Sequence, residues 1–202
     1  YSRWNGADLH GIARTSSRYG SELGGAISAV PHESLELHAS FLAQRRGERL
    51  APLADSASIA QLLSPDQALR TVTLDSARKW LGGFTWATES GWSVLAETWW
   101  DGTAPTAGDW KGLARQAAQR SALLAFPGVA AAAVNGSIAA STRLFESPSR
   151  TRRGQLARIA WTDPAASGWS GSFDLMRTPE DGGWVATAAA AWEADRLRLD
   201  AG

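Results

Sequence analysis

The stretch Trp184-Val185-Ala186-Thr187-Ala188-Ala189-Ala190-Ala191-Trp192 decides the reading of this chain, and Trp92-Ser93-Val94-Leu95-Ala96-Glu97-Thr98-Trp99-Trp100 repeats its design. In each, two tryptophans stand an even number of positions apart, so in a β-strand both point to one face. Between them on that face lie Ala186, Ala188 and Ala190 in one stretch, and Val94, Ala96 and Thr98 in the other. No charge interrupts either run. At ~3.3 Å per residue and ~40° of tilt, such a strand rises roughly 20 Å, close to the ~25 Å apolar band of a membrane barrel. Aromatic residues at both margins with small apolar residues between them predict a strand that crosses a bilayer.

Working outward, the same period of two recurs in ten segments. Leu9, Gly11 and Ala13 alternate with Asp8, His10, Ile12 and Arg14; Leu23, Gly25 and Ile27 alternate with Glu22, Gly24, Ala26 and Ser28. Val30-Pro31-His32-Glu33 reads as a tight turn, because proline breaks the ladder. The third segment sets Leu35, Leu37, Ala39 and Phe41 against Glu36, His38, Ser40 and Gln44. A fourth carries Trp80, Gly82, Phe84 and Trp86, and the fifth runs from Trp92 to Trp100. Residues 132–145 read as a long sixth strand, with Asn135, Ser137, Ser141 and Arg143 sharing a face; a hairpin turn at Asn135-Gly136 is the alternative. Ala157, Ile159 and Trp161 mark the seventh, Trp169 to Leu175 the eighth, Trp184 to Trp192 the ninth, and Leu197 to Ala201 the tenth.

Two long connections interrupt the series. The first, roughly Arg45 to Arg78, holds a short helix over residues 56–63, ended by Pro65. In the second, Thr106 with Asp109 resembles a capping box, and Trp110, Leu113, Ala117 and Leu124 have helical spacing up to Pro127-Gly128. Both connections fall on one side of a ten-strand series, as the longer outer loops of a membrane barrel do. The turns after the second, fourth and eighth strands fall on the other. On this count Trp80, Trp100, Trp161, Trp169 and Trp192 form an outer girdle, and Trp86, Trp92 and Trp184 an inner one.

Charge follows the alternation. Within the strand bodies, Asp8, Arg14, Glu22, Glu36, Glu97, Arg143, Arg158, Asp174, Arg196, Arg198 and Asp200 share one face with His10 and His38; the other face carries no charge there. The charged face predicts a wet lumen. The opposite face is rich in Ala and Gly with Trp at its margins, a surface that suits lipid better than the bulky interior of a two-sheet sandwich.

Composition narrows the function. Twenty basic and twenty acidic residues cancel, so no global field favours nucleic acid. Cysteine is absent, which removes disulfides and thiolate metal sites. No apolar run is long enough for a membrane helix. Tyr1-Ser2-Arg3-Trp4 does not read as a signal peptide, and the chain reads as a single barrel domain, 1–202, or a fragment of a larger barrel.

The segment Ser34-Leu35-Glu36-Leu37-His38-Ala39-Ser40-Phe41-Leu42 and the strand from Trp184 to Trp192 resemble those of the porin-like β-barrels of Gram-negative outer membranes. The resemblance lies in pattern and covers most of the chain. It implies an all-β, antiparallel up-and-down transmembrane barrel with one short helix in an outer loop. It also implies localisation in the outer membrane, with lipid as partner, and passive passage of small polar solutes past the charged face. A periplasmic or outer-membrane protein partner, no cofactor and no catalysis complete the expectation. A non-conducting barrel that anchors a partner is the first alternative. The second is a soluble Trp-rich sandwich that stacks sugars on Trp86, Trp99 or Trp169, its Trp face half buried against another sheet.

Chemistry-bearing constellations are sparse. His10 and His38 lie two strands apart, ~9–10 Å, too far to share a metal. No G-x-S-x-G, H-E-x-x-H or Walker loop occurs. Arg158 with Asp174, and Arg196 and Arg198 with Glu193, read as salt-bridged ladders. Arg150, Arg152 and Arg153 read as a solvated turn before the seventh strand, with a lipid headgroup contact as the alternative.

Overall fold

The computed structural model describes residues 2–4, 6–53, 58–147, 149–165, 168–180, 182–194 and 197–201, with the backbone alone for 2–4, 194 and 197–201. The chain is mostly antiparallel β, and it divides into two compact units rather than one: residues 1–44, 78–100 and 153–202 in the first, 45–77 and 101–152 in the second.

The first unit is one sheet. Its strands are β1 (Ser2–Trp4), β2 (Ala7–Ser16), β3 (Gly20–His32) and β4 (Leu35–Gln44), then β7 (Ala77–Ala87), β8 (Trp92–Asp101), β9 (Arg153–Thr162), β10 (Trp169–Thr178), β11 (Gly183–Ala194) and β12 (Leu197–Ala201). They neighbour one another in chain order, and among the described residues no pairing joins β1 to β12, so no closed barrel is formed. The intervening β5 (Gly47–Pro52) and β6 (Leu69–Leu74) form a separate hairpin in the second unit.

The register confirms the separation of faces. Leu9 pairs with Ile27 and Ile27 with Ala39, while Arg14 pairs with Glu22 and Glu22 with Gln44. Val94, Ile159, Phe173 and Ala188 likewise form one row across β8 to β11. Large apolar side chains stand exposed, most of them on the tryptophan face: Leu23 is 66 % exposed, Trp184 59 % and Phe173 47 %; on the charged face Glu22 is 4 % exposed and Ile12 58 %. All nine buried hydrophobic residues, Ala51 to Leu144, belong to the second unit. Apart from Ala77 at the start of β7, none of the nine lies in the ten-stranded sheet.

The turn expected at residues 30–33 is shorter. β3 continues through Pro31 to His32, which pairs with Leu35, and the register shifts between Ala29 and His32. Proline has no N–H to give the ladder, so it is accommodated at this irregularity.

The expected sixth strand is helical. Residues Ala131–Ser141 form a helix (α3 below), followed by a 3-10 turn, Thr142–Glu146. Val134, Ser137, Ser141 and Leu144 are its buried residues, a spacing of three to four that belongs to a helix. Alanine favours the helix intrinsically, and Asn135-Gly136 lies inside it, so neither the strand nor the hairpin forms.

β8 therefore pairs directly with β9, and the rims change. Trp92 faces Trp161 in register, with ring centroids 6.4 Å apart, and Trp169 faces Trp192. Trp161, Trp169 and Trp192 thus join Trp86 and Trp92 at one rim; Trp184 joins Trp80 and Trp100 at the other. The turn after β10 falls at this second rim, not opposite it. Both long connections leave from the rim of Trp100, as the sequence predicts.

The second unit holds α1 (Ile59–Leu63), α2 (Ala107–Leu123) and α3, beside the β5–β6 hairpin: the two helices read in the long connections are joined by a third, α3, and the single outer-loop helix of the barrel expectation gives way to three among the described residues. Thr106 caps α2 in a capping box with Asp109, as expected. Leu62, Leu123 and Val134 form its core, with Leu63, Val129 and Ile138 packed against them. Trp110 of α2 stacks on Phe145 at 5.2 Å. Arg120 is fully buried and donates to the Leu62 carbonyl (3.0 Å) and the Ser141 hydroxyl; burial pushes its guanidinium below the ordinary arginine range.

Candidate functional site

The charged face of the sheet gathers most of the residues expected to line a lumen, and it gathers them in pairs. Strand register decides which meet. Arg14 on β2, Glu22 on β3 and Gln44 on β4 share one row, and both Arg14 and Gln44 donate to the Glu22 carboxylate. Six residues further along β3, the Ser28 hydroxyl donates to Glu36 at 2.8 Å. Asp8 stands opposite Ser28, and His10 opposite Ala26.

His38 and Glu97 meet at 3.0 Å from strands that are not neighbours. Between β4 and β8 runs β7, and its residue at the crossing is Gly83. A Cβ there would lie 2.8 Å from His38 Nε2, 2.8 Å from Glu97 Cγ and 2.5 Å from the Ala96 carbonyl. The missing side chain opens the path for a hydrogen-bonded bridge over the middle strand. His38 therefore engages Glu97, and not His10.

Further along, Arg158 on β9 and Asp174 on β10 are register partners joined at 3.4 Å. Trp99 also points to this face and lays its ring over Gly154 on β9, where a Cβ would fall 1.8 Å from the ring. Gly154 is thus the floor on which Trp99 packs.

Arg143 is removed from the face: it sits exposed in the 3-10 turn after α3, in the second unit. Arg196 lies outside the described residues, as do the side chains of Arg198 and Asp200, although the backbone register sets Arg198 opposite Glu193. Of the basic turn, Arg152 donates to the Gly102 carbonyl at 2.9 Å and Arg153 pairs with Glu180 at 4.0 Å, so these arginines are not a single solvated cluster.

The sequence reading passed over Gly83, Gly154 and Gln44 as functional positions. Their signal was present: a glycine on the polar face of a strand, flanked two positions away by bulky residues, marks a place where neighbouring side chains cross.

Among the described residues no group of three His, Asp or Glu side chains could hold a metal ion. What the arrangement offers chemically is a strip of polar groups held in pairs: Arg14 with Glu22, His38 with Glu97, Arg158 with Asp174, and Glu36 with the Ser28 hydroxyl. Neither a protein-family model nor a curated protein matches this chain.

Proposed function

We propose that this chain is a membrane-embedded β-sheet of a porin-like barrel of the Gram-negative outer membrane, with small polar solutes passing along its charged face. The observation that carries the reading is the exposed apolar face. A ten-stranded sheet leaves Leu23, Ile27, Phe41, Phe173 and Trp184 exposed on one face, while its charges gather on the other, where Glu22 is buried and Arg14, Glu36 and Arg158 are exposed. In water this forfeits roughly 1.5–3 kcal/mol for every large apolar side chain left out; in hydrocarbon the same surface is at home, and closure with further strands removes the edges. The sandwich reading needs a second sheet over the tryptophans, and within this unit the described strands all belong to one sheet.

The ion pairs on the charged face favour a second reading, a barrel whose lumen is filled and which serves as an anchor. Reconstitution separates the two. The chain is expected to float with phosphatidylcholine vesicles and to need detergent for extraction, and the vesicles to swell in small sugars. Swelling absent from vesicles that carry the chain favours the anchor, and a chain that stays in buffer without detergent overturns the membrane reading altogether.

A further inference from the structure

The apolar face is not uniformly apolar: arginines stand among the tryptophans at one rim only. The rim of Trp80, Trp100 and Trp184 carries Arg78, Arg153 and Arg177 on the same face, as the register of β8 to β11 and the alternation of β7 about Gly83 require. The opposite rim, with Trp86, Trp92, Trp161, Trp169 and Trp192, has no lysine or arginine on that face among the described residues. Arg177 lies over the Trp184 ring at 5.2 Å, which holds its guanidinium at the level of the aromatic belt. Arg153 is 67 % exposed at its side chain, with only a long contact to Glu180.

Two adjoining hollows lie beneath these cations. The outer one, 620 Å³, is lined by Arg78, Trp80, Trp100 and Arg153. The inner one, 420 Å³, runs towards the middle of the band over Gly82, Ala96 and Ala157, bounded by Phe84, Leu175 and Trp184. Thr98 and Gln155 line both. A cationic mouth that continues into an apolar trough has the polarity of one amphiphile: an anionic head above an acyl chain.

We infer that this surface is a binding site for the diphosphorylated diglucosamine lipid of the outer leaflet, lipid A; the inference rests on the membrane reading above. Charge complementarity selects the head. Arg78, Arg153 and Arg177 put three guanidinium groups at one mouth, a concentration of positive charge that matches a head carrying two phosphates better than a head carrying one. Guanidinium groups take phosphate oxygens two at a time. The rim selects the leaflet, because both long connections leave from it and long loops face outward in such barrels. The trough takes one acyl chain where Gly82, Ala96 and Ala157 leave the sheet surface low.

The test is native mass spectrometry of the chain in detergent micelles with diphosphoryl lipid A, monophosphoryl lipid A or phosphatidylglycerol, run beside flotation with phosphatidylcholine vesicles. Diphosphoryl lipid A is expected to bind at least about tenfold more tightly than the other two. Arg78→Gln and Arg153→Gln each weaken it about tenfold, while Arg158→Gln on the opposite face leaves it unchanged. Ala157→Phe fills the trough and weakens binding without altering a charge. Equal binding of phosphatidylglycerol, or indifference to both rim arginines, overturns the site. Flotation with no lipid preference overturns it and spares the membrane reading; a chain that does not float overturns both.

Discussion

Ala188 offers the sharpest test of which solvent the apolar face meets. It stands in the row Val94–Ile159–Phe173–Ala188, four residues from Trp184 and four from Trp192. That places it ~13 Å along the strand from each tryptophan, or about 10 Å along a bilayer normal at ~40° of tilt. An arginine put there lies near the hydrocarbon midplane and costs ~2–4 kcal/mol, because neither rim is within easy reach of its guanidinium. That cost is a ~30- to ~900-fold loss in the folding equilibrium. Thr187 is the internal control: one residue away, on the charged face, opposite Asp174. An arginine there gains an acidic neighbour and changes stability by no more than ~0.5 kcal/mol. Both variants are measured by urea titration of the chain folded in phosphatidylcholine vesicles, with tryptophan emission as the signal. Ala188 is exposed, so in water Ala188→Arg would also fall within ~0.5 kcal/mol. Equal midpoints for Ala188→Arg and Thr187→Arg would refute the lipid-facing assignment.

Two further substitutions probe how the units are held. Gly83→Ala drives a methyl group into the Ala96 carbonyl and the His38–Glu97 bridge, and is expected to cost ~1–3 kcal/mol; His38→Ala combined with it should recover part of the loss, and full additivity in the double variant would show that the glycine does not serve the bridge. Thr106→Ala removes the capping box of α2 and should lower protection of the first α2 amides in hydrogen exchange by about 1 kcal/mol. Amides of β9 to β11 should stay unchanged, and a loss of protection spread over both units would contradict the division into two compact units.

How much of this was legible in the sequence depends on what each residue type can say about its surroundings. The rows from Leu9 to Phe41 and from Trp92 to Trp192 were readable because Leu, Phe, Trp, Asp and Arg each strongly prefer one solvent, and their alternation leaves one register. Residues 132–145 were not, because Ala and Ser tolerate either face, so a chance period of two stood in for a pattern. The bonds that decide that segment are tertiary: Ser141 accepts from Arg120 and donates to the Ser137 carbonyl at 2.9 Å, and Leu144 is buried in the second unit. One wrong strand then displaced Trp161, Trp169, Trp184 and Trp192 to the wrong rims, since parity carries an error along every later hairpin. The correction strengthens the girdles. With Trp92 against Trp161 and Trp169 against Trp192, tryptophans pair across neighbouring strands at one rim, while Trp184 now stands with Arg177, Arg153 and Trp100 at the other. Under the membrane reading proposed above, two rims that differ in charge as well as in loop length would give the sheet a direction across a bilayer, which the tryptophan spacing alone could not supply.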